Sequence, residues 1–561
     1  MDLNMVNGNF TEWMKIAKFH IDEIRFSIND HFKSCEPLCV IASTTFITIL
    51  VIWIWQFIFL QEQSLWIRTR NKFFKLARKL PMVKTQLAKE IKKARKLMND
   101  DVQKQNEGCS FLQILPDKGW NKEEIIEKSK KSFMMGKVDW KKGKVSGAVY
   151  NYSDALNEIT SLVYGMCAYT NPLHPDVFPG VRKMEAEVVR MTCNLFHGDS
   201  NSCGVMTCGG TESIILACKA YRDRAFDIGI KHPEILVPVT AHCAFDKAAN
   251  LMRMKIKHVP VDPVTMKVDM KQYQRYITRN TCMLVGSAPQ FPHGAIDPIE
   301  DISKARLGLK YKIPVHVDAC LGGFLIPFME EAGFPVVRFD FRLPAVTSIS
   351  ADTHKYGSAP KGSSVLMYRD ESYRHYQFFV QPNWPGGIYA SPSLPGSRAG
   401  GIIAACWAAM TFFGRDGYVK NCKKIIETAN RIEKGLREMP DLKIIGKPEV
   451  SVIAFGSDKF NIYRLSDALH KRGWSLNALQ FPSCIHLCVT FMHTADGVAE
   501  AFLNEVRDCT EIIMKDPTAD AVGKAAIYGL SQTIPDRNIV SELAWTFLDS
   551  CYITSFDPET E

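Results

Sequence analysis

The sequence predicts an α/β protein: a large domain on a mostly parallel sheet, a smaller C-terminal α/β domain, and one membrane-spanning helix ahead of both. Three observations predict it. From about residue 190 short β-rich runs alternate with helical periods, beyond Gly400 the runs shorten and their spacing changes, and Leu38 to Leu60 is 23 residues without one ionisable acid or base. Strand and helix alternating through short connections argue a parallel sheet, with the ligand site where loops leave the strands.

The apolar run comes first. As a helix it would span roughly 34 Å against a hydrocarbon core of about 30 Å. It is too long for a buried soluble helix, and it starts too late and lacks the small-residue cleavage site of a signal peptide. Trp53, Trp55 and Trp66 suit the membrane interfaces. The twenty residues before the span hold Lys18, Arg25 and Lys33, whereas the twenty after it hold six basic residues, so the large C-terminal part is expected in the cytosol. Asn9-Phe10-Thr11 is a glycosylation sequon that would fit a lumenal tail.

Charge is unevenly placed. The 561 residues carry 69 Lys+Arg and 60 Asp+Glu, a net +9, but twelve of the basic and three of the acidic residues lie between Gln61 and Asp100, leaving 57 of each elsewhere. The body is therefore neutral and no nucleic-acid partner is expected. With 46% hydrophobic and 23% charged residues, wholesale disorder and a many-pass membrane protein are both excluded. Lys72 to Met98 repeats apolar and basic residues at helical spacing, broken at Pro81, and reads as a solvated amphipathic stalk. The 17 cysteines read as reduced thiols, and no Cys or His spacing calls for a metal.

The elements follow in order. Helices are predicted at Met184–Leu195, Thr211–Ala225 and His242–Arg253, and strands at Glu234–Val239, Thr281–Val285, Ile313–Val317, Ala345–Ser350 and Ser363–Tyr368. After a helical stretch to Phe412 come a helix at Tyr418–Met439, strands Leu442–Ile445 and Ser451–Phe455, and a helix at Asn461–Lys471. Strands Leu476–Phe481 and Cys484–Phe491 and a helix from Gly497 to Met514 complete the pattern. The segmentation is 1–37 as a short N-terminal segment, 38–60 as the span, 61–100 as the stalk, 101–185 as an arm, 186–400 as the large domain and 401–561 as the small one.

Four places carry chemistry. In Ser348 to Gly362, Lys355 stands just past a buried strand, where desolvation would lower its pKa and free a nucleophilic amine; an exposed loop lysine is the plain alternative. Asp318 ends another buried strand and needs a cationic partner, either a protonated pyridine nitrogen or an ordinary ion pair. Gly209, Gly210 and Thr211 open a helix whose free N–H groups suit a phosphate, or form only a tight turn. His242 offers a flat ring for stacking, or a helix cap.

In this order the set resembles the pyridoxal-phosphate enzymes of the aspartate-aminotransferase-like fold (fold type I), in the group II decarboxylase superfamily, and within it the sphingosine-1-phosphate lyases. Matching segments are Gly147 to Tyr150, Asn171 to Pro175, Met184 to Arg190, His316 to Phe324, Ser350 to Ser364, Gly386 to Ser391 and Gly396 to Arg398. The resemblance implies that Lys355 bonds pyridoxal 5'-phosphate covalently, Asp318 pairs with its ring nitrogen, His242 stacks on the ring, and Gly210, Thr211 and His354 hold its phosphate. It implies a homodimer in which the loop around Gly387 and the turn containing Ser397 reach in from the second chain, with the 101–185 arm contributing to dimer and site. Tyr150, His174, Lys361 and Tyr389 would lie near the substrate phosphate and the reacting carbon.

The implied activity is C2–C3 scission of a phosphorylated long-chain base, a lipid met at the endoplasmic reticulum membrane; a pyridoxal-phosphate-dependent amino-acid decarboxylase is the alternative. Asn151-Tyr152-Ser153 is a second sequon beside Tyr150, which a cytosolic catalytic domain would leave unglycosylated. Two positions depart from the family's pattern: Cys208 stands where serine is expected, and Ser358 where relatives carry a larger side chain. Cys208 and Cys320 are expected to make the site thiol-sensitive.

Overall fold

The computed structural model describes residues 18–554, apart from 60, 62–64, 108–110, 137, 305–309, 311, 522–531 and 533. The Asn9 sequon and Leu60 lie outside the described residues. The chain divides into two units, Met1–Arg70 and Asn71–Glu561. In the first, Pro37–Phe59 is one helix, and Pro37–Ile58 is long and apolar enough to cross a membrane. Its Thr44 and Thr48 hydroxyls donate to the carbonyls of Val40 and Thr44 at 2.7 Å, which satisfies them without water.

The second unit is organised by a seven-stranded sheet. Its strands are β1 (Cys203–Thr207), β2 (Glu234–Pro238), β3 (Lys255–Val259), β4 (Thr281–Ser287), β5 (Val315–Asp318), β6 (Val346–Ala351) and β7 (Ser364–Tyr368), in the order β1-β7-β6-β5-β4-β2-β3. From β3 to β6 all neighbours are parallel, while β7 runs antiparallel to both β6 and β1. Strands β2 and β4 to β7 are fully buried, which suits the apolar runs of β2, β4 and β7, while β5 and β6 also bury polar residues that bond one another, His316 with Ser348 and Ser350. Sequence periodicity misses β1 and β3 because both are edges with mixed exposure. In β3, Lys255 and Lys257 look polar, yet they pair with the buried Glu234 of β2 at 3.4 and 2.7 Å.

A hairpin of β8 (Phe379–Gln381) and β9 (Tyr389–Ser391) follows, also absent from the sequence reading. Next, Gly400–Arg437 forms one long helical stretch broken at Gly414, whose φ of 55° is the left-handed conformation that glycine takes at little cost. The break falls between the two helices predicted there. The small sheet comprises β10 (Lys443–Ile444), β11 (Val452–Gly456), β12 (Asn477–Leu479) and β13 (Cys484–Cys488), antiparallel throughout in the order β10-β11-β13-β12. The last strand is shorter than predicted because Thr490 caps a tight 3₁₀ turn over Phe491–Thr494.

The stalk is a correction. Leu65–Ala77 and Pro81–Gln105 are helices parted near Pro81 as expected, but the second is not simply solvated: it packs against the C-terminal helix Arg537–Ser550. Between them Arg78 is mostly buried, donating to Asp536 at 2.6 Å and to Glu542. The partners lie more than 450 residues apart in sequence, where no periodicity connects them.

Candidate active site

Parallel strands bring their C-terminal ends to one edge of a sheet, and here that edge carries Asp318, the last residue of β5, and the turn that follows β6. The turn holds Asp352, His354 and Lys355. Lys355 Nζ lies 3.0 Å from Asp352 Oδ2, and Asp352 is only 2% exposed. Burial alone would lower the Lys355 pKa, but the Asp352 carboxylate outweighs it and the pKa is raised. This corrects the expected low-pKa amine at Lys355.

The depressed lysine is Lys361. Partial loss of water around it first, and the nearby Lys355 charge second, pull it down to about 8, although the residue keeps an exposed surface. Its Nζ donates to the His354 carbonyl at 3.2 Å and lies 4.9 Å from the centre of the Tyr150 ring. Tyr150 is 8% exposed, meets Tyr356 edge-on at 4.9 Å, and has its phenol pKa pushed up by burial. The N-terminal arm reaches this position because it is stitched to the small sheet: Ser146 Oγ donates to the His486 carbonyl and accepts from Cys488 N at 2.8 Å, and Val145 bridges Ser475.

The glycine pair opens helix Gly210–Asp227 against this cluster. A Cβ on Gly210 would come within 2.8 Å of Cys320 Sγ and 2.9 Å of both Asp352 carboxylate oxygens, so glycine is required for the helix end to approach so closely. Thr211 is exposed at the same end. His354 leaves a buried Nδ1 without a partner, has Nε2 3.6 Å from Asp352, and is held below the usual histidine pKa by burial. Glu212, in the first turn, accepts from Cys208 N at 2.7 Å and Leu394 N at 3.0 Å, tying the glycine loop to the segment after the hairpin.

Asp318 is 7% exposed and accepts from Cys320 N at 3.1 Å through one oxygen. Two residues earlier, His316 is wholly buried between Ser348 (2.8 Å) and Ser350 (3.3 Å), and burial pushes it down to about 4, so it is neutral. His242 is exposed at the sheet edge after β2, and its Nδ1 accepts from Ala244 N at 3.1 Å, capping the next helix. Cap and stacking surface are compatible, because the bond lies in the ring plane.

The remaining residues form two further groups. Asn171 donates to Ser397 Oγ at 3.0 Å and accepts from Leu173 N and Arg398 N, while Arg398 pairs with Glu185; His174 lies exposed in this turn. Tyr389 meets Trp384 edge-on, and Gly387, with a φ of 108°, turns the exposed tip of the hairpin. Within one chain no described bond ties His174, Gly387 or Tyr389 to Lys355. The thiol expectation is also corrected: burial and then Glu212 push Cys208 up to about 11, and burial raises Cys320 well above the normal range, so neither is a ready thiolate. Ser358 stands in a left-handed turn, φ 61°, which explains no preference for a small side chain there.

Residues 110–457 match the model of the pyridoxal-dependent decarboxylase conserved domain. A sphingosine-1-phosphate lyase of Drosophila melanogaster is 53% identical over 94% of this chain and 96% of its own length, and sphingosine-1-phosphate lyase 1 of Rattus norvegicus is 50% identical over 99% and 96%. The chain belongs to the sphingosine-1-phosphate lyase family. The structure of the family's Burkholderia pseudomallei member superposes with a TM-score of 0.70 at 42% identity, covering 72% of this chain and 94% of that one. Glutamate decarboxylase from Lactobacillus brevis, 20% identical with a TM-score of 0.63 over 74% of this chain and 98% of its own, shares the fold.

The residues present fit the cofactor that the family's fold implies. The buried Asp318 oxygens can face a ring cation, the unpartnered His354 Nδ1 and the helix end at Gly210 can face a phosphate, and Lys355 lies next to His354 in the same turn. The sequence reading missed Asp352 and Glu212 as site residues. The spacing of Asp352 three residues before Lys355 was the available signal; Glu212 offered none beyond its place in a first helical turn.

Proposed function

We propose that this chain is a pyridoxal-phosphate-dependent lyase that cleaves phosphorylated long-chain sphingoid bases between C2 and C3, giving a long-chain aldehyde and phosphoethanolamine. The observation that carries this reading is the pair of unlike lysines at one sheet edge, Lys355 paired with the Asp352 carboxylate and Lys361 set on the His354 carbonyl beside the Tyr150 ring. When bound, pyridoxal phosphate supplies the electron-withdrawing ring that takes up charge from C2. The protein then has to bind the substrate, take a proton from the 3-hydroxyl and return one to C2.

Lys355 would bond the cofactor, Asp318 would pair with its ring nitrogen, His242 would supply a stacking face, and Gly210, Thr211 and His354 would hold its phosphate. Tyr150, His174 and Tyr389 would grip the substrate phosphate, and Lys361, beside Tyr150, would face the reacting carbons. The hairpin around Gly387 and the turn at Ser397 act in the site of a second copy. Val380, Trp384 and Ile388 are all more than half exposed on that hairpin, an apolar surface suited to burial in a homodimer.

The catalytic body works on the cytosolic side of the endoplasmic reticulum membrane, held near its lipid substrate by the single span. Two observations support that side. The basic flank follows the span, and the Asn151 sequon sits beside buried Tyr150, with Ser153 already capping helix Asp154–Cys167. The deciding experiment incubates detergent-solubilised full-length protein with a phosphorylated long-chain base and measures aldehyde and phosphoethanolamine. Carbon dioxide released from an amino acid would instead favour the decarboxylase reading, and cleavage surviving Lys355→Ala would overturn the assignment of the site.

A further inference from the structure

The two site lysines are unlike, and the difference has a structural source. Asp352 makes an ion pair with Lys355, whereas Lys361 makes none among the described residues; its nitrogen has only the His354 carbonyl and the Tyr150 ring face. Asp352 is also confined. It is 2% exposed, Oδ2 serves Lys355 at 3.0 Å with His354 at 3.6 Å, Oδ1 has no hydrogen-bond partner, and Gly210 closes the space behind both oxygens. A buried carboxylate with an unpartnered oxygen is costly unless its charge is used by a neighbour.

We propose that Asp352 is a positioning residue that assigns the two lysines opposite duties, holding Lys355 as the proton-donating ammonium and leaving Lys361 as the proton-accepting amine. This rests on the lyase reading above and deepens it. The other titratable groups facing the pair do not compete for the role. Tyr150 from the arm, Cys320 after β5 and Cys488 on β13 are all raised by burial and stay neutral, and His354 is lowered by burial.

The proton balance closes without an external reagent. The substrate arrives as an ammonium, and when its nitrogen takes the place of Lys355 the extra proton leaves with Lys355, beside Asp352. Neutral Lys361 takes the proton from the 3-hydroxyl, the C2–C3 bond breaks with its electron pair left at C2, and the aldehyde departs. Lys355 gives its proton to C2. Lys355, now neutral, would retake its bond as the phosphoethanolamine nitrogen leaves, and Lys361 would give that nitrogen the proton it gained, so that the product departs as an ammonium, nothing is oxidised or reduced, and both lysines return to their starting states.

The test is Asp352→Asn, which keeps the shape and removes the charge. The readout is the pH midpoint at which the visible band of the bound cofactor changes, since that band reports protonation of the cofactor-bonded Lys355 nitrogen independently of turnover. An adjacent opposite charge shifts such a midpoint by about one to three units, so the parent holoenzyme keeps its band unchanged from pH 6 to 9 and Asp352→Asn brings a transition down into that interval. Asp352→Ser, smaller and also neutral, gives the same shift if the asparagine variant accumulates poorly. A transition between pH 6 and 9 in the parent itself, or a midpoint in either variant equal to that of the parent, overturns the proposal. Failure of the parent to release aldehyde from a phosphorylated long-chain base would sink the lyase reading instead, and the two failures are read in separate measurements.

Discussion

Lys361 is the most exacting quantity to test, because its depressed pKa converts directly into a pH profile. An ordinary lysine near 10.4 is neutral in only about 0.04% of molecules at pH 7, whereas one at about 8 is neutral in roughly a tenth, a gain of about two hundredfold in the form able to accept a proton. The sign follows from the base role: activity rises with pH through about 8 and levels above it. The assay is kcat against pH at saturating phosphorylated long-chain base, since kcat reports groups of the enzyme–substrate complex and removes the ionisation of free substrate. Lys361→Arg holds a permanent cation at the same place and should lose at least a hundredfold in kcat while retaining the cofactor's visible band. A parent profile flat between pH 7 and 9, or a limb near 8 that survives in an active Lys361→Met variant, would refute the reasoning.

Other consequences are equally concrete. Gly210→Ala places a methyl group 2.8 Å from Cys320 Sγ and 2.9 Å from the Asp352 carboxylate; overpacking of about 1–3 kcal/mol should appear as faster loss of cofactor on dialysis, with global helix content unchanged. Arg78→Met leaves Asp536 buried without its cation, so about 1–3 kcal/mol of local stability is lost and the Arg537–Ser550 helix exchanges amide hydrogens and is cut by protease sooner than the catalytic core. Acid should unfold the body early. His293, His316, His486 and His493 are each held down to about 4 by burial, so the unfolded chain binds protons from pH 6.5 downward that the fold refuses, and stability falls as pH drops from 6.5 to 4. Asp297, raised to about 6 by burial, opposes this in the same window, leaving a net uptake of about three protons on unfolding at pH 5 from these five groups. Urea midpoints measured from pH 7 to 4 check the slope, and a midpoint insensitive to pH would contradict it.

Much of the molecule was readable from the chain alone, for a reason visible in each case. The span, the basic block after it and the buried strands β4 to β7 are contiguous features, whose information lies within a window of ten to twenty residues. Edge strands β1 and β3 escaped because half-exposed strands carry mixed residues. The hairpin β8–β9 escaped because its apolar residues face outward rather than into a core.

In the site, Lys355, Asp318 and the glycine pair were legible because each sits at a strand or helix end that its own sequence marks. The sequence alone marked the residues proposed to carry the chemistry and the side of a membrane on which they are expected to work. Tertiary structure decided what surrounds those residues: that Lys355 is paired with Asp352 while Lys361 has the Lys355 charge beside it and no carboxylate partner among the described residues, that Tyr150 reaches them through Ser146 on the small sheet, and that Arg78 anchors a helix from the other end of the chain. Protonation and ion pairing depend on through-space distance and on the loss of water around a group, and neither quantity has a period that a sequence could display.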